Sequence, residues 1–321
     1  MSFIGIDVSK DKLDVCCIFG ERHKSKRVAN SPSGFEDLRR WIVQNKFEDV
    51  HVCMESTGCY SEGVAEFLYN AGFKVSVANP AAVKAFKNSE LIRQKTDKAD
   101  AYMIAKFCQK NNPRLWTPRP AEIRELHDIT SRIDSLKQKI IASSNVLENK
   151  LLSKAVVENI KNEIEFLEKN IKELEDEIMK IIESNPDLRL KFEQLTAITG
   201  VGPKVALSIL AGMPDVENFQ NAGQFASFVG ITPSHKQSGT SVHGKSHISR
   251  IGGPSVRKAL YMSALNVKNH NPHFKDFVKK MEQKHKPPKV IICAVMRKLM
   301  YIFFGMLKNS AHFDPNLAFS A

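Results

Sequence analysis

Four acids have the strongest claim to chemistry. Asp97 and Asp100 stand three residues apart in Lys95-Thr96-Asp97-Lys98-Ala99-Asp100-Ala101, at the start of a segment with helical spacing. Residues i and i+3 share a helix face, so the spacing predicts that both carboxylates point the same way. Two like charges side by side are unfavourable without a cation between them, and hard oxygen ligands suit magnesium. The same pair is also ordinary helix-start chemistry, an N-cap acid with a second acid in the first turn. Asp7 ends the apolar run of residues 3–6, and Glu55 stands at the end of the apolar run 50–54. Neighbouring strands bring such acids to one sheet edge, and the later helix can set Asp97 and Asp100 beside them. Four carboxylates within a few Å need cations. Two magnesium ions about 3.5–4 Å apart would satisfy them and clamp both oxygens of an in-line phosphoryl displacement. Each acid taken alone is equally a cap or turn residue.

The elements that must position these acids follow from hydrophobic spacing. Residues 3–8, 13–19 and 23–29 read as three hairpin-linked strands. Ser33 is the expected N-cap of a helix through Ile42, with Phe35, Leu38, Trp41 and Ile42 on one face. A strand at 50–54, a helix at 61–71 closed by Gly72, a strand at 74–78 and a helix opened by Asn79-Pro80 come next, before the Asp97/Asp100 helix. Three linked strands followed by strand–helix units predict a mixed sheet with helices on both faces, an α/β class.

Beyond residue 120 the pattern changes. Ile160, Ile164, Leu167, Ile171, Leu174, Ile178 and Ile181 alternate spacings of four and three, a heptad seam. Leu126, Ile129, Ile133, Leu136, Ile140 and Leu147 suggest an earlier helix of the same kind. The two helices can pair within one chain or between chains, as a coiled-coil arm for oligomerisation. Pro186 ends this arm, which divides the chain into residues 1–120, 121–186 and a mostly helical 187–321. Gly200-Val201-Gly202-Pro203-Lys204 then joins two apolar helices and resembles a helix-hairpin-helix. Its glycines (Gly200, Gly202) and Lys204 suit a nucleic-acid backbone phosphate at a helix N-terminus, although glycine in a plain helix–helix turn gives the same pattern.

Charge is uneven along the chain. The 321 residues carry a formal net charge of +12, and residues 231–300 alone hold 14 Lys/Arg against 2 Asp/Glu, so the rest is about neutral. That imbalance points to a polyanionic partner. Lys236, His243, Lys245, Arg250 and Arg257 are the candidate phosphate contacts, and Lys275 to Lys289 forms a further basic segment. A glycine-containing loop, 235–241, opens this block and offers two serines, Ser238 and Ser241, between which the residues themselves do not choose. The six cysteines form no C-x-x-C pair and read as buried free thiols in a reducing cytosol. The first apolar run is interrupted by Asp7 and Lys10, unlike a signal segment. The apolar stretch 290–307 is broken by Arg297 and Lys298, as in a buried helix and not a membrane span.

Several motifs together resemble one family. They are Gly-Ile-Asp-Val-Ser-Lys at 5–10, Met-Glu-Ser-Thr-Gly-Cys-Tyr at 54–60, Asn-Pro at 79–80, the 95–101 segment, Gly-Val-Gly-Pro-Lys at 200–204, Phe-Ala-Ser-Phe-Val-Gly-Ile-Thr-Pro at 225–233, Gln-Ser-Gly-Thr-Ser at 237–241 and Val-Arg-Lys-Ala-Leu-Tyr-Met at 256–262. In this order, over nearly the whole chain, they resemble the DEDD-type insertion-sequence transposases, a bridge-RNA-guided serine recombinase family related to the Piv invertase. The resemblance implies an N-terminal RuvC-like, ribonuclease-H-type domain, a coiled-coil arm and a C-terminal transposase domain. It implies an Asp7, Glu55, Asp97, Asp100 site for Mg2+, and it selects Ser238 as nucleophile for a phosphoserine link to DNA. It further implies element-end and target DNA, a structured noncoding guide RNA and a homodimer or homotetramer as partners, with a nucleoid-associated, cytoplasmic location. The alternatives are a metal-dependent junction-resolving nuclease that uses water, and a nonenzymatic nucleic-acid-binding scaffold.

Overall fold

The structure is a computed structural model. It describes residues 1–90, 96–149, 151–234, 237–238, 242–243, 247–249 and 252–319, with 237–238 and 242–243 described by backbone alone. The chain divides into two compact units, Met1–Pro118 and Arg119–Ala321.

The first unit is built on a five-stranded sheet in the order β3-β2-β1-β4-β5. The strands are β1 (Ser2–Val8), β2 (Lys12–Phe19), β3 (Arg22–Ala29), β4 (Val50–Glu55) and β5 (Lys74–Ala78). The first three are antiparallel neighbours, while β1–β4 and β4–β5 are parallel, so the sheet is mixed. Alternation along each strand sorts the side chains onto two faces. Ile4, Ile6 and Val8 of β1, with Val50, Val52 and Met54 of β4, form one core with α1 (Pro32–Gln44) and α2 (Cys59–Asn70). The other face is covered by α4 (Asp97–Asn111), whose Ile104, Phe107 and Cys108 pack with Cys53, Ala78 and Val83 of α3 (Pro80–Ser89). Gly5 makes this fit possible, because a Cβ there would sit 2.1 Å from the Ala101 carbonyl oxygen and 2.2 Å from the Ala105 nitrogen. Helix α1 is capped by Ser31, not Ser33: Pro32 occupies the first turn, and the Ser31 hydroxyl accepts from the Gly34 amide.

The second unit is mostly helical. Helices α5 (Ala121–Leu147) and α6 (Lys154–Ser184) form an antiparallel hairpin within one chain, with Lys137 3.5 Å from Glu175 and the Ser143 hydroxyl donating to Glu163 at 3.0 Å. Its seam buries Leu126, Ile133, Leu136, Leu167, Ile171, Ile178 and Ile181 near the base, where Leu188 and Ala211 join them. Toward the tip the burial fails, and Ile141, Val146, Leu151, Val156 and Phe166 are exposed. Next come α7 (Pro186–Thr196), α8 (Pro203–Gly212) and α9 (Ala222–Val229). Two short antiparallel pairs follow, β6 (Pro233–Ser234) with β9 (His247–Ile248), and β7 (Gln237–Ser238) with β8 (Val242–His243). Helices α10 (Pro254–His270), α11 (Lys275–Gln283), α12 (Pro288–Lys308) and α13 (Pro315–Phe319) complete it. Helix α12 is the one described helix long and apolar enough to cross a membrane. It is the spine of this core, burying Ile291, Val295, Leu299, Met300, Phe303 and others.

All six thiols are unpaired. Cys16, Cys17, Cys53 and Cys108 are buried and Cys293 is partly so. Cys59 departs from the expected burial: it is exposed, because it opens α2 at the surface instead of lying within a strand.

Candidate functional site

Asp7 and Glu55 reach one place by alternation. Phe3, Gly5 and Asp7 share the β1 face that meets α4; His51, Cys53 and Glu55 share the same face of β4. The parallel register sets Ile6 beside Met54, so the next step along both strands brings Asp7 beside Glu55. Helix α4 starts over this edge. Thr96 caps it, its hydroxyl accepting from the Ala99 amide at 3.2 Å, which places Asp97 and Asp100 in the first turn.

The two acids of α4 do not share a partner. Asp100 accepts from Lys87 of α3 at 3.0 Å, and the same Lys87 ammonium donates to Glu55 at 2.9 Å. Asp97 accepts instead from Lys12 at 2.6 Å, with Arg27 3.9 Å away. Three residues along a helix turn a side chain by about 60°, and at a helix end lying over a sheet that is enough to send one acid to the β2–β3 side and the other to the β4–α3 side. The expectation of a common direction thus gives way to a divided one.

Charge is managed by these partners. Burial pushes Asp7 up from its ordinary 3.8 to about 6; Asp100, Asp97 and Glu55 push the same way, and Lys87 opposes them. Burial works against the Lys87 charge, but its bonds to Glu55 and Asp100 outweigh that and hold its pKa above the usual lysine range. The bond from Lys12 holds Asp97 below the usual carboxylate range. Among the described residues, no three His, Cys, Asp or Glu side chains surround one point at ligand spacing. The donors nevertheless suit a hard divalent cation: Glu55 of β4 and Asp100 of α4 face one ammonium, and Asp7 of β1 stands beside Glu55 by register.

Four of these neighbours, Asp14, Arg27, Lys12 and Lys87, escaped sequence reasoning. Asp14 lies opposite Asp7 in the β1–β2 hairpin, is buried, and binds Arg27 at 2.8 Å. The alternation Lys12-Leu13-Asp14-Val15 was its one sequence signal. Lys12 and Lys87 had none, since a lysine near a strand or on a short helix reads as solvated surface.

The expected nucleic-acid contacts divide as well. Gly200 has φ +97°, and a Cβ there would meet Val267 of α10 at 2.8 Å, so close helix packing accounts for this glycine. The turn's carbonyls face α10 too: Gly200 accepts from the Ser263 hydroxyl at 3.0 Å and Thr199 from the Asn271 amide at 2.9 Å. Gly202 faces open space at the uncapped start of α8. Lys204 is exposed, 3.5 Å from Glu175. Arg257 donates to the Val229 carbonyl at 2.8 Å and so ties α10 to the end of α9. The basic segment leaves Lys275, Lys279, Lys280, Lys284, Lys286 and Lys289 exposed on α11, in the turn after it and at the start of α12. Ser238 lies on β7, its backbone paired with Val242. The Ser238 and His243 side chains, and Lys95, Lys236, Ser241, Lys245 and Arg250 entirely, lie outside the described residues.

Comparison with known proteins gives this arrangement a class. A family model described as "Transposase", of the DEDD IS110 type, matches residues 4–156, and a second, "Transposase IS116/IS110/IS902 family", matches residues 192–279. The chain is 34% identical over 319 residues to the pilin gene-inverting proteins of Moraxella bovis and Moraxella lacunata, covering 98% of each chain. It is 24% identical over 200 residues to the 43.6 kDa protein of insertion element IS110 in Streptomyces coelicolor, covering 62% of this chain and 46% of that one. The class is that of DNA transposases and recombinases, with which the mixed N-terminal sheet and helical remainder are compatible. The chain belongs to the IS110/IS116 transposase family. Its DEDD type suggests divalent metal use.

Proposed function

We propose that this chain is an RNA-guided DNA recombinase that cuts and exchanges strands through a phosphoserine intermediate. In this reading residues 1–120 form a RuvC-like catalytic domain, 121–186 an oligomerisation arm and 187–321 a transposase domain that carries the nucleophile. Asp7, Glu55, Asp97 and Asp100 would hold magnesium, which when bound would supply charge neutralisation for the scissile phosphate and favour the attacking alkoxide. The Ser238 Oγ attacks phosphorus and gives up its proton, a phosphoserine ester forms, and the departing deoxyribose oxygen takes a proton as its bond to phosphorus breaks. Attack by a deoxyribose hydroxyl on that ester reverses the step and joins the new strands. Lys204, Lys236, Lys245, Arg250 and Arg257, with the amides at Gly200 and Gly202, contact phosphates of DNA or of a structured guide RNA. The exposed apolar residues at the hairpin tip support assembly into a dimer or tetramer. The names of the Moraxella relatives suggest inversion of a DNA segment as one outcome of the same chemistry.

The observation that carries this reading is that Glu55 of β4 and Asp100 of α4 share one ammonium while Asp7 of β1 stands beside Glu55 by register. The test incubates the purified chain, its co-purifying RNA and magnesium with supercoiled DNA bearing the element ends, then denatures with detergent. A covalent protein–DNA adduct is expected from the wild type and from neither Ser238→Ala nor Asp7→Ala, and RNase treatment should abolish it. Undiminished cleavage by Ser238→Ala, with Asp7→Ala inactive, would instead establish the water-using nuclease.

A further inference from the structure

Lys87 is about as buried as the acids it binds: its side chain is 25% exposed, against 23% for Glu55 and 24% for Asp100. Its ammonium bridges carboxylates from two different elements, β4 and α4, and Asp7 stands next to Glu55 by register. A divalent cation takes oxygen ligands at about 2.0–2.6 Å. It cannot use the inner oxygens of Glu55 and Asp100 while an ammonium sits about 3 Å from both, because the two positive charges would then lie within a few Å of each other.

The helix that carries Lys87 is held in a way that lets it yield. Val83 is the one buried residue of α3, with Phe86 partly buried beside Phe107. Its C-terminal end is fastened by charge, since Glu90 accepts from both Lys106 and Lys110 of α4. Of the two, only the pair to Lys110 is exposed on the lysine side, and such a pair contributes little and exchanges readily with water. A helix with one buried anchor belongs to the low-stability end of a fold.

We infer that Lys87 is a positioning residue that occupies the acidic site in place of a divalent cation, holding Glu55 and Asp100 together before metal arrives and competing with metal for them. This rests on the reading of Asp7, Glu55, Asp97 and Asp100 as metal ligands. Metal loading then requires Lys87 to leave, and the lysine sets the metal concentration at which the site fills.

The experiment titrates Mn2+ into the full-length, metal-free chain without DNA, read by the electron-spin signal of free Mn2+ and by melting temperature. Lys87→Met removes the competitor and keeps the side-chain volume; Lys87→Arg keeps the charge; Asp100→Asn removes a ligand. Lys87→Met should bind Mn2+ about tenfold more tightly than wild type or better. It should melt lower without metal and gain more melting temperature from saturating metal, while Lys87→Arg stays near wild type. Unchanged or weaker Mn2+ binding by a folded Lys87→Met, with Asp100→Asn impaired, overturns the competition and leaves the metal site standing. A wild type that binds no Mn2+, or an Asp100→Asn that binds as well as wild type, overturns both. Should Lys87→Met fail to fold, Lys87→Gln takes its place with the same expected tightening.

Discussion

The two units handle charge in opposite ways. In the sheet-based unit each charge near Asp7 has an assigned counter-charge: Lys87 for Glu55 and Asp100, Lys12 for Asp97, Arg27 for Asp14. The backbone dictates those positions, through strand alternation, parallel register and the contact of α4 at Gly5. In the helical unit the lysines of α11 and the start of α12 stand exposed, and what the backbone dictates is the apolar core beneath them. Converging charge in a partly buried place is suited to chemistry on one phosphate, whereas dispersed charge on a surface is suited to holding many phosphates. The two units therefore draw on different physical resources to place their charges.

The sharpest break between the units should come from ligand removal. Asp100→Asn or Glu55→Gln is expected to cut strand cleavage about a thousandfold or more while leaving DNA affinity near wild type, measured by gel shift beside a cleavage assay. Chelation by EDTA should give the same pattern reversibly. Next in size, Gly5→Val drives a side chain into the α4 backbone and should cost about 3 kcal/mol or more by urea denaturation.

A smaller effect should appear as a gain. Asp7 carries a folded pKa of about 6, above its ordinary 3.8, so its charge costs stability once the pH rises through that window. Asp7→Asn should therefore be more stable than wild type in EDTA at pH 7, by about 1–3 kcal/mol in urea denaturation. The two should converge below about pH 4, where the aspartate is protonated in both the folded and unfolded states. In the helical unit, the triple change Lys275→Gln, Lys279→Gln and Lys286→Gln should lower nucleic-acid affinity and reduce the slope of log affinity against log salt by about 2–3, without changing single-turnover cleavage at saturating DNA. Smallest of all, Gly202→Ala should shift stability by under about 0.5 kcal/mol, since a Cβ there meets open space. Gly200→Ala, in a left-handed conformation against Val267, should cost several times more.

The strands and helices of the first unit were legible because each short apolar run had turn residues on both sides and a period matching one element. Of the predicted heptad seam, Leu167, Ile171, Leu174, Ile178 and Ile181 pack against α5 within one chain, while Ile160 and Ile164 lie outside that cluster. The α1 cap falls two residues before the expected Ser33, since Ser31 and Ser33 both flank Pro32 and both are good caps. The glycines at 200 and 202 suit a phosphate cradle in sequence, and a glycine required by an approaching helix, as Gly200 is by Val267, looks identical there. The charge of Arg257 says nothing in sequence of the Val229 carbonyl that faces it.

For this protein the sequence by itself determined which acids end which strands, that α4 begins with two of them, and that positive charge gathers after residue 230. Those are local or compositional properties, written within a few residues or within a running count. The tertiary structure alone decided that Asp97 and Asp100 part company, that Lys12, Arg27 and Asp14 join the acidic edge, and that Lys87 lies between Glu55 and Asp100. Each of those outcomes depends on how α3 and α4 settle on the sheet, which many weak contacts set jointly and no single stretch of chain encodes. The physical reason is range: capping and alternation act over one turn or one strand, whereas the partner of a charge is whatever the fold delivers to it.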